Sequence, residues 1–356
     1  MLPQSPQNAV FDTAPTPGDF GVRNLRACRA LKTRLRFADA MADENLTGRT
    51  IAGYHLLERV GEGGTAVVYR AEHAERGLAA VKVLKERSRN DETAVKRFLR
   101  EAGYGSRVEH TSVVQTFDFG EEDGLHYLAL EWAEGLPLSD YIEKNGKLDP
   151  ALVAEAIGQL AEGLMASHAE GIIHRDLKPE NIIFDPQTAV LKLLDFGIAR
   201  DAQQDGSERL TRTGFFVGTL NYVAPEALSG ELVDEAADLY SVATITYYLL
   251  TARHPYAGRT PRELFQQLLT QPPTPLNDVV QGLAFSEELE EAVMKALNRN
   301  PQARHKSVRE FAEAVKAAPK EVLGPALKRS RNAPADNSDP SDGLGAKIRG
   351  IFGKKK

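Results

Sequence analysis

His174-Arg175-Asp176-Leu177-Lys178-Pro179-Glu180-Asn181, followed by Asp195-Phe196-Gly197, is the stretch whose reading decides the fold. Upstream, a helix-like run ends near Ala169. Downstream, Ile182-Ile183-Phe184 reads as a strand, so the first segment is a loop held at both ends. The apolar run Val190 to Leu194 reads as a second strand and delivers Asp195 to the same region. An Asp placed before an Asn in one loop, with another Asp beyond a hairpin, suits phosphoryl transfer to a hydroxyl. Asp176 would orient the attacking hydroxyl and accept its proton, while Asn181 and Asp195 would hold divalent ions on the nucleotide phosphates. The bland alternative is a polar loop whose carboxylates only cap and hydrogen-bond.

These residues resemble, one for one, the catalytic loop and metal-binding motif of the eukaryotic-type (Hanks-type) Ser/Thr protein kinases, in a form similar to the bacterial branch. The resemblance implies an α+β, bilobal fold: an N-lobe of antiparallel sheet with a helix C, and a mostly α-helical C-lobe. It implies ATP as the phosphoryl donor, with Mg2+ or Mn2+. Lys178, two residues after Asp176, marks the Ser/Thr-specific branch and would neutralise the γ-phosphate during transfer.

Composition agrees with a folded chain of this size. The chain has 356 residues, 42% hydrophobic and 26% charged, room enough for a two-lobed domain with tails. Its net charge of -6 supplies no global basic field, so nucleic acid is not an expected partner. The lone Cys28 excludes an intrachain disulfide and a cysteine-rich zinc site, which suits a reducing cytoplasm. No run of about 18 apolar residues reads as a membrane span, and the first residues lack a secretory apolar core.

From Ile51 the pattern becomes that of strands. The tip Gly61-Glu62-Gly63-Gly64-Thr65 lies between Tyr54-Val60 and Ala66-Ala71, and its glycines would let backbone amides approach phosphates closely. Ala66 stands where the family has a third glycine. Lys82, amid the apolar Leu78-Leu84 strand, needs a partner for its ammonium. By resemblance that partner is Glu101, on a helical run from Ala94 to Val108, and Lys82 would contact the α- and β-phosphates. Two more strands, Val113 to Phe119 and Leu125 to Glu131, complete the small sheet. The resemblance puts Leu130 at the gatekeeper position and makes Glu131, Trp132 and Ala133 the hinge. Val68 and Ala80 are, by the same resemblance, expected among the ATP-binding residues.

Beyond the hinge, Leu152, Ile157, Leu160 and Leu164 recur at helical spacing, the core helix of the larger lobe. The family's activation segment corresponds to Asp195 through Glu226, with Thr219 matching the residue that bonds to the catalytic Asp and Lys. Thr211 and Thr213 resemble paired autophosphorylation threonines, and a phosphate there would dock on Arg175. Asp238 matches the residue that braces the catalytic loop, Ala243 replaces a family glycine, and Arg304 matches the partner of Glu226.

The expected layout is a kinase domain over 51 to 318, with an N-lobe over 51 to 131 and a C-lobe over 135 to 318. Residues 1 to 50 form a polar tail carrying a basic amphipathic helix around Arg23, Arg26, Arg29 and Lys32. Residues 319 to 356 form a polar linker and a basic tail suited to weak contact with an anionic membrane surface at the inner face of the membrane. Two rival readings share parts of the pattern. A pseudokinase scaffold would normally lose Lys82, Asp176 or Asp195, and a small-molecule kinase of related fold would usually lack the segment from Gly218 to Glu226.

Overall fold

The computed structural model describes residues 45–194, 220–229 and 233–322. Asp195, Thr211, Thr213 and Thr219, residues 1–44 with the basic stretch, and residues 323–356 lie outside the described residues; of the expected N-terminal tail, Leu46 is buried in the N-lobe core and Thr50 begins its first strand.

The N-lobe is a six-stranded sheet in the order β1-β2-β3-β4-β6-β5, antiparallel throughout. Its strands are β1 (Thr50–Ile51), β2 (Tyr54–Glu62), β3 (Ala66–His73), β4 (Gly77–Leu84), β5 (Thr116–Glu122) and β6 (Leu125–Glu131). Side chains alternate across a strand, so β4 divides its residues between two faces. Ala79, Val81 and Val83 join Tyr69, Tyr127 and Ala129 in one cluster. Leu84 on the other face meets Leu128, Phe98 and Ala102, the last two from the helix that covers it. Lys82 shares this second face.

Between β4 and β5 run α1 (Glu86–Arg89) and α2 (Glu92–Gly105). Asp91 caps α2 by accepting from the Thr93 amide at 2.9 Å, which sets its start two residues before the expected Ala94. The helix also stops at Gly105 rather than Val108. β5 likewise begins at Thr116, not Val113. The reason is competition for the backbone: Val113 forms a parallel bridge with Leu193, and the Val114 amide donates to Leu193 O at 2.9 Å. The segment before β5 therefore belongs to the other lobe's strands.

The C-lobe opens with β7 (Leu136–Pro137), α3 (Leu138–Asn145) and α4 (Pro150–Ala169), and β7 joins a second sheet, β7-β8-β9, with β8 (Ile182–Asp185) and β9 (Val190–Leu193). Gly135, just before β7, has φ +113°, and a Cβ there would meet Phe184 O at 2.3 Å, so only glycine fits. Asp149 caps α4 through the Ala151 amide, and Pro150 takes the first helical position, where a missing N–H costs nothing. Then follow α5 (Pro225–Leu228), α6 (Glu235–Thr251), α7 (Pro261–Thr270), α8 (Glu287–Ala296) and α9 (Val308–Ala317). The central helix α6 is buried along nearly all its length, and Ala243 is fully inside, with no room for solvent beside it. α4 and α6 pack on each other, and α9 packs against both; with the β8-β9 hairpin they make one continuous core.

Candidate active site

The residues nominated from the motifs fall in three parts of the chain, the first of them on the N-lobe sheet. It is the pair on the second face of that sheet. Lys82 Nζ lies 2.7 Å from Glu101 Oε1, with the two side chains 17% and 18% exposed. β4 presents the lysine and α2 presents the glutamate. Opposite positions place Val68 beside Lys82 and Ala80 beside Leu130 on the same face.

β2 runs on past the expected Val60 through Gly61 and Glu62, which pair with Val68 and Val67, so only Gly63 to Thr65 form the turn at the tip. None of the glycines here needs to be glycine for the fold: a Cβ on Gly61 would come no closer than 3.8 Å to Val68, one on Gly63 no closer than 3.7 Å to Ala66 O, and one on Gly64 would meet nothing within 4 Å. None of the three has a positive φ. The fold itself therefore leaves room for a side chain at each of the three positions. Glu62 in this tip pairs with Lys85 and Arg59, and its carboxyl is held below the ordinary value by the Lys85 hydrogen bond. Arg87 donates to Gly64 O at 2.7 Å. Lys85 and Arg87 reach the tip from 23 residues away, contacts with no local sequence signal.

The second part is the loop from Gly171 to Asn181. It leaves α4 through Gly171 at φ +70°, with Ser167 Oγ donating to Ile172 O at 2.6 Å. Asp238, fully buried on α6, then seizes the backbone: His174 N donates to its Oδ2 at 2.8 Å and Arg175 N to its Oδ1 at 2.9 Å. His168 Nε2 on α4 lies 2.8 Å from the same Oδ2. Burial works to raise the Asp238 pKa; the His168 bond, the fields of His174 and His168, and the Arg175 amide outweigh it and hold the carboxyl below its ordinary value. Gripped this way, the chain turns through Arg175 at φ +63°, a left-handed conformation rare for a side-chain-bearing residue. Asp176 emerges directly after that turn.

Lys178 Nζ is 3.1 Å from Asp176 Oδ2. Asn181, in a 3-10 turn over Pro179–Asn181, donates through Nδ2 to Asp176 O at 2.8 Å and Oδ2 at 3.3 Å. An amide anchored by its nitrogen presents Oδ1 on the opposite side, and oxygen is the atom a hard divalent cation takes. The donor chemistry of Asn181 therefore fits magnesium. Leu194 N donates to Asn181 O at 2.8 Å, so the residue before Asp195 is tied to the same turn. Among the described residues no group of three His, Cys, Asp or Glu stands together as a metal cluster.

The third part is the hinge. Leu130 and Glu131 are the last two residues of β6, and Ala133 follows outside any helix or strand, two residues before Gly135. The Arg70 guanidinium sits 5.4 Å from the Trp132 ring centre, linking β3 to the hinge.

Away from the centre, Arg304 and Glu226 form a two-pronged pair at 2.7 and 2.8 Å, both side chains buried. It clamps α5 to the segment before α9. Arg304 also donates to Ala236 O at 2.8 Å at the start of α6.

Residues 54–316 match the family model described as the protein kinase domain, and the chain belongs to that family. The curated relatives include the serine/threonine-protein kinase pkn3 of Myxococcus xanthus, 35% identical over 82% of this chain and 55% of its own length. They also include the serine/threonine-protein kinase PknB of Mycobacterium tuberculosis, 35% identical over 72% of this chain and 41% of its own. The chain thus spans about half, or less, of the length of these relatives. Among solved structures, the PknI kinase domain of Mycobacterium tuberculosis superposes with a TM-score of 0.58 at 27% identity, covering 76% of this chain and 98% of that one. Rad53 1-466 in complex with AMP-PNP gives 0.60 at 26% identity, over 74% of this chain and 65% of that one. The bilobal kinase fold anticipated from the motifs is the fold of the chain.

Proposed function

We propose that this chain transfers the γ-phosphate of ATP to Ser and Thr hydroxyls of proteins, its own activation segment included. The observation that carries the reading is the loop gripped by Asp238, in which Asp176 stands within reach of both Lys178 and Asn181. The adenine would lie against the hinge backbone at Glu131 and Ala133, between Val68, Ala80 and the Leu130 side. Lys82, held by Glu101, would take the α- and β-phosphates, and the amides of Gly61 to Gly64 would cover them. A substrate hydroxyl beside Asp176 gives up its proton to that carboxylate as its oxygen bonds to the γ-phosphorus. The bond to the β-phosphate oxygen breaks and ADP leaves. Lys178 balances charge on the moving phosphoryl group. Asn181 and Asp195 would hold magnesium, or manganese in its place, and the ion when bound would offset the charge on the phosphate oxygens.

The catalytic unit in this reading is 51 to 318, with regulation through Thr211 or Thr213 docking on Arg175. A cytoplasmic setting follows from the same reading, with the basic C-terminal stretch available for weak contact with anionic lipid. Among the described residues no helix is long and apolar enough to cross a membrane. Neither a pseudokinase scaffold nor a small-molecule kinase has a specific feature in its favour.

The test is incubation of the chain with γ-labelled ATP and magnesium, followed by phosphoamino-acid analysis and peptide mapping. Phosphoserine or phosphothreonine, with occupancy at Thr211 or Thr213, is expected. Label confined to phosphotyrosine would refute the substrate class, and active enzyme with both threonines unoccupied would remove the regulatory part.

A further inference from the structure

Arg70 on β3 has no part in the chemistry described above, yet it stands on the face of the sheet that carries that chemistry. Directly opposed residues of neighbouring strands share a face, and the register sets Val68 opposite Lys82, Arg70 opposite Ala80, and Ala80 opposite Leu130. Two contacts fix where its guanidinium lies. It is 3.3 Å from Glu58 Oε1 on β2, and it sits over the Trp132 ring, 5.4 Å from the ring centre.

These contacts do not weigh equally. The ion pair is open to water, with side chains 37% and 60% exposed, so it stabilises little. Arg70 Nε is buried with no hydrogen-bond partner among the described residues, which works against the placement. What favours it is the ring: a planar, weakly hydrated guanidinium gains from lying on an indole, the best of the aromatic faces for a cation. Trp132 is the only tryptophan in the chain, and it falls between Glu131 and Ala133, whose backbone the reading above sets against the adenine. One end of the stack is thus rooted in the sheet beside Ala80 and the other in the hinge. With both ends held, the stack fixes where the hinge backbone runs relative to the sheet face, and an adenine ring has to touch both at once. A site held in that geometry before the nucleotide arrives avoids an ordering cost on binding.

We propose that the Arg70–Trp132 stack places the hinge backbone against the sheet and thereby sets the chain's affinity for the adenine nucleotide. Arg70 is a positioning residue here: it touches the ring, not the nucleotide. The inference rests on the reading of Glu131 and Ala133 as the adenine contacts.

The experiment measures the dissociation constant of mant-ADP, a fluorescent ADP analogue, with magnesium on the full chain, beside the rate of phosphate transfer at saturating ATP. A part-exposed stack of this kind predicts that Arg70→Met raises the dissociation constant by about twofold to fivefold, while the saturated rate stays within about twofold. Trp132→Leu raises the constant by a similar factor, and Arg70→Met placed on top of it adds less than about 1.5-fold, since the interaction is already gone. Trp132→Tyr, which keeps an aromatic face, lies closer to the unaltered chain than to Trp132→Leu. Glu58→Gln, which removes only the exposed ion pair, leaves the constant unchanged. The Trp132 emission maximum shifts in Arg70→Met and not in Glu58→Gln, because only the first takes the cation off the indole. A merely structural role would lower the melting temperature of the variants without this dependence on cation and ring. An unchanged constant in Arg70→Met, a tyrosine variant as weak as the leucine one, independent effects of the two substitutions, or a saturated rate that falls with the affinity would each overturn the proposal. Glu58→Gln as weak as Arg70→Met would assign the effect to the ion pair and overturn it too. Failure of the unaltered chain to bind mant-ADP at all would remove the nucleotide-site reading together with the inference, whereas binding that ignores Arg70→Met would remove the inference alone.

Discussion

His254 offers the sharpest test of how burial shapes this lobe. It follows α6 and lies stacked on Tyr248, ring centres 4.7 Å apart and nearly parallel, with the Tyr222 ring meeting it edge-on at 5.4 Å. Burial among these rings pushes the imidazole pKa down from 6.5 to about 4. The unfolded chain therefore binds a proton near pH 6.5 that the folded chain refuses until about pH 4, so between those values the unfolded state carries more protons. The stability from His254 is full above the unfolded value and is lost as pH falls toward the folded one. The difference between the two values is worth about 3 kcal/mol in total, of which about 2 kcal/mol is lost between pH 7.5 and pH 5. The perturbation is His254→Phe, which keeps an aromatic ring and removes the titration. Urea unfolding at pH 7.5 and pH 5 would be run on both forms, so that contributions common to the two cancel. The parent should lose about 2 kcal/mol more than the variant over that interval. Equal losses in the two forms would refute the argument that burial keeps this histidine neutral.

Two further outcomes follow from packing. Arg304→Met leaves the Glu226 carboxylate buried without its two-pronged partner, and should cost about 3 to 5 kcal/mol in urea unfolding; a loss under about 1 kcal/mol would contradict the buried-pair account. Gly63→Ala adds a methyl that touches no protein atom closer than 3.7 Å, so unfolding stability should hold within about 0.5 kcal/mol while nucleotide binding weakens severalfold. Unchanged nucleotide binding would mean that the tip's glycines do not serve a phosphate.

Much of the fold is legible because its signals are local. The glycine tip, the lysine in an apolar strand and the loop from His174 to Asn181 each announce themselves within a few residues, and their order along the chain then implies the two lobes. Strand alternation locates β6 to the residue, and the 3.6-residue period locates α4. Other boundaries depend on distant partners. β5 starts three residues late because Val113 is taken by Leu193, and no pattern near Val113 says so. α3, only Leu138–Asn145, is too short to show a clear period, whereas α9 carries Val308, Phe311, Ala312 and Val315 at helical spacing, a signal in the sequence that could have located it. The single helix Glu235–Thr251 reads in sequence as a motif followed by a separate buried helix, because it is apolar around most of its circumference and shows little amphipathic period.

The same division runs through the site. Lys82, Glu101, Asp176 and Asn181 can be nominated from the resemblance of their motifs to the family's, and the structure brings Lys82 to Glu101 and Asn181 to Asp176. The contacts of Lys85 with Glu62, Arg70 with Trp132 and Lys192 with Glu131 cannot, since each joins two elements through charges that read singly as solvated surface. His168 reads as structural, and its bond to Asp238 gives that a form: it supports the carboxylate that grips the catalytic loop.

The most direct measurement of the central claim is the rate of phosphate transfer from ATP by the full chain and by its Asp176→Asn variant, with nucleotide binding measured on both. The account predicts that the variant still binds nucleotide while transfer falls by at least about a hundredfold, the contribution expected of a positioned base. Transfer at the parent rate with Asn at position 176 would contradict it.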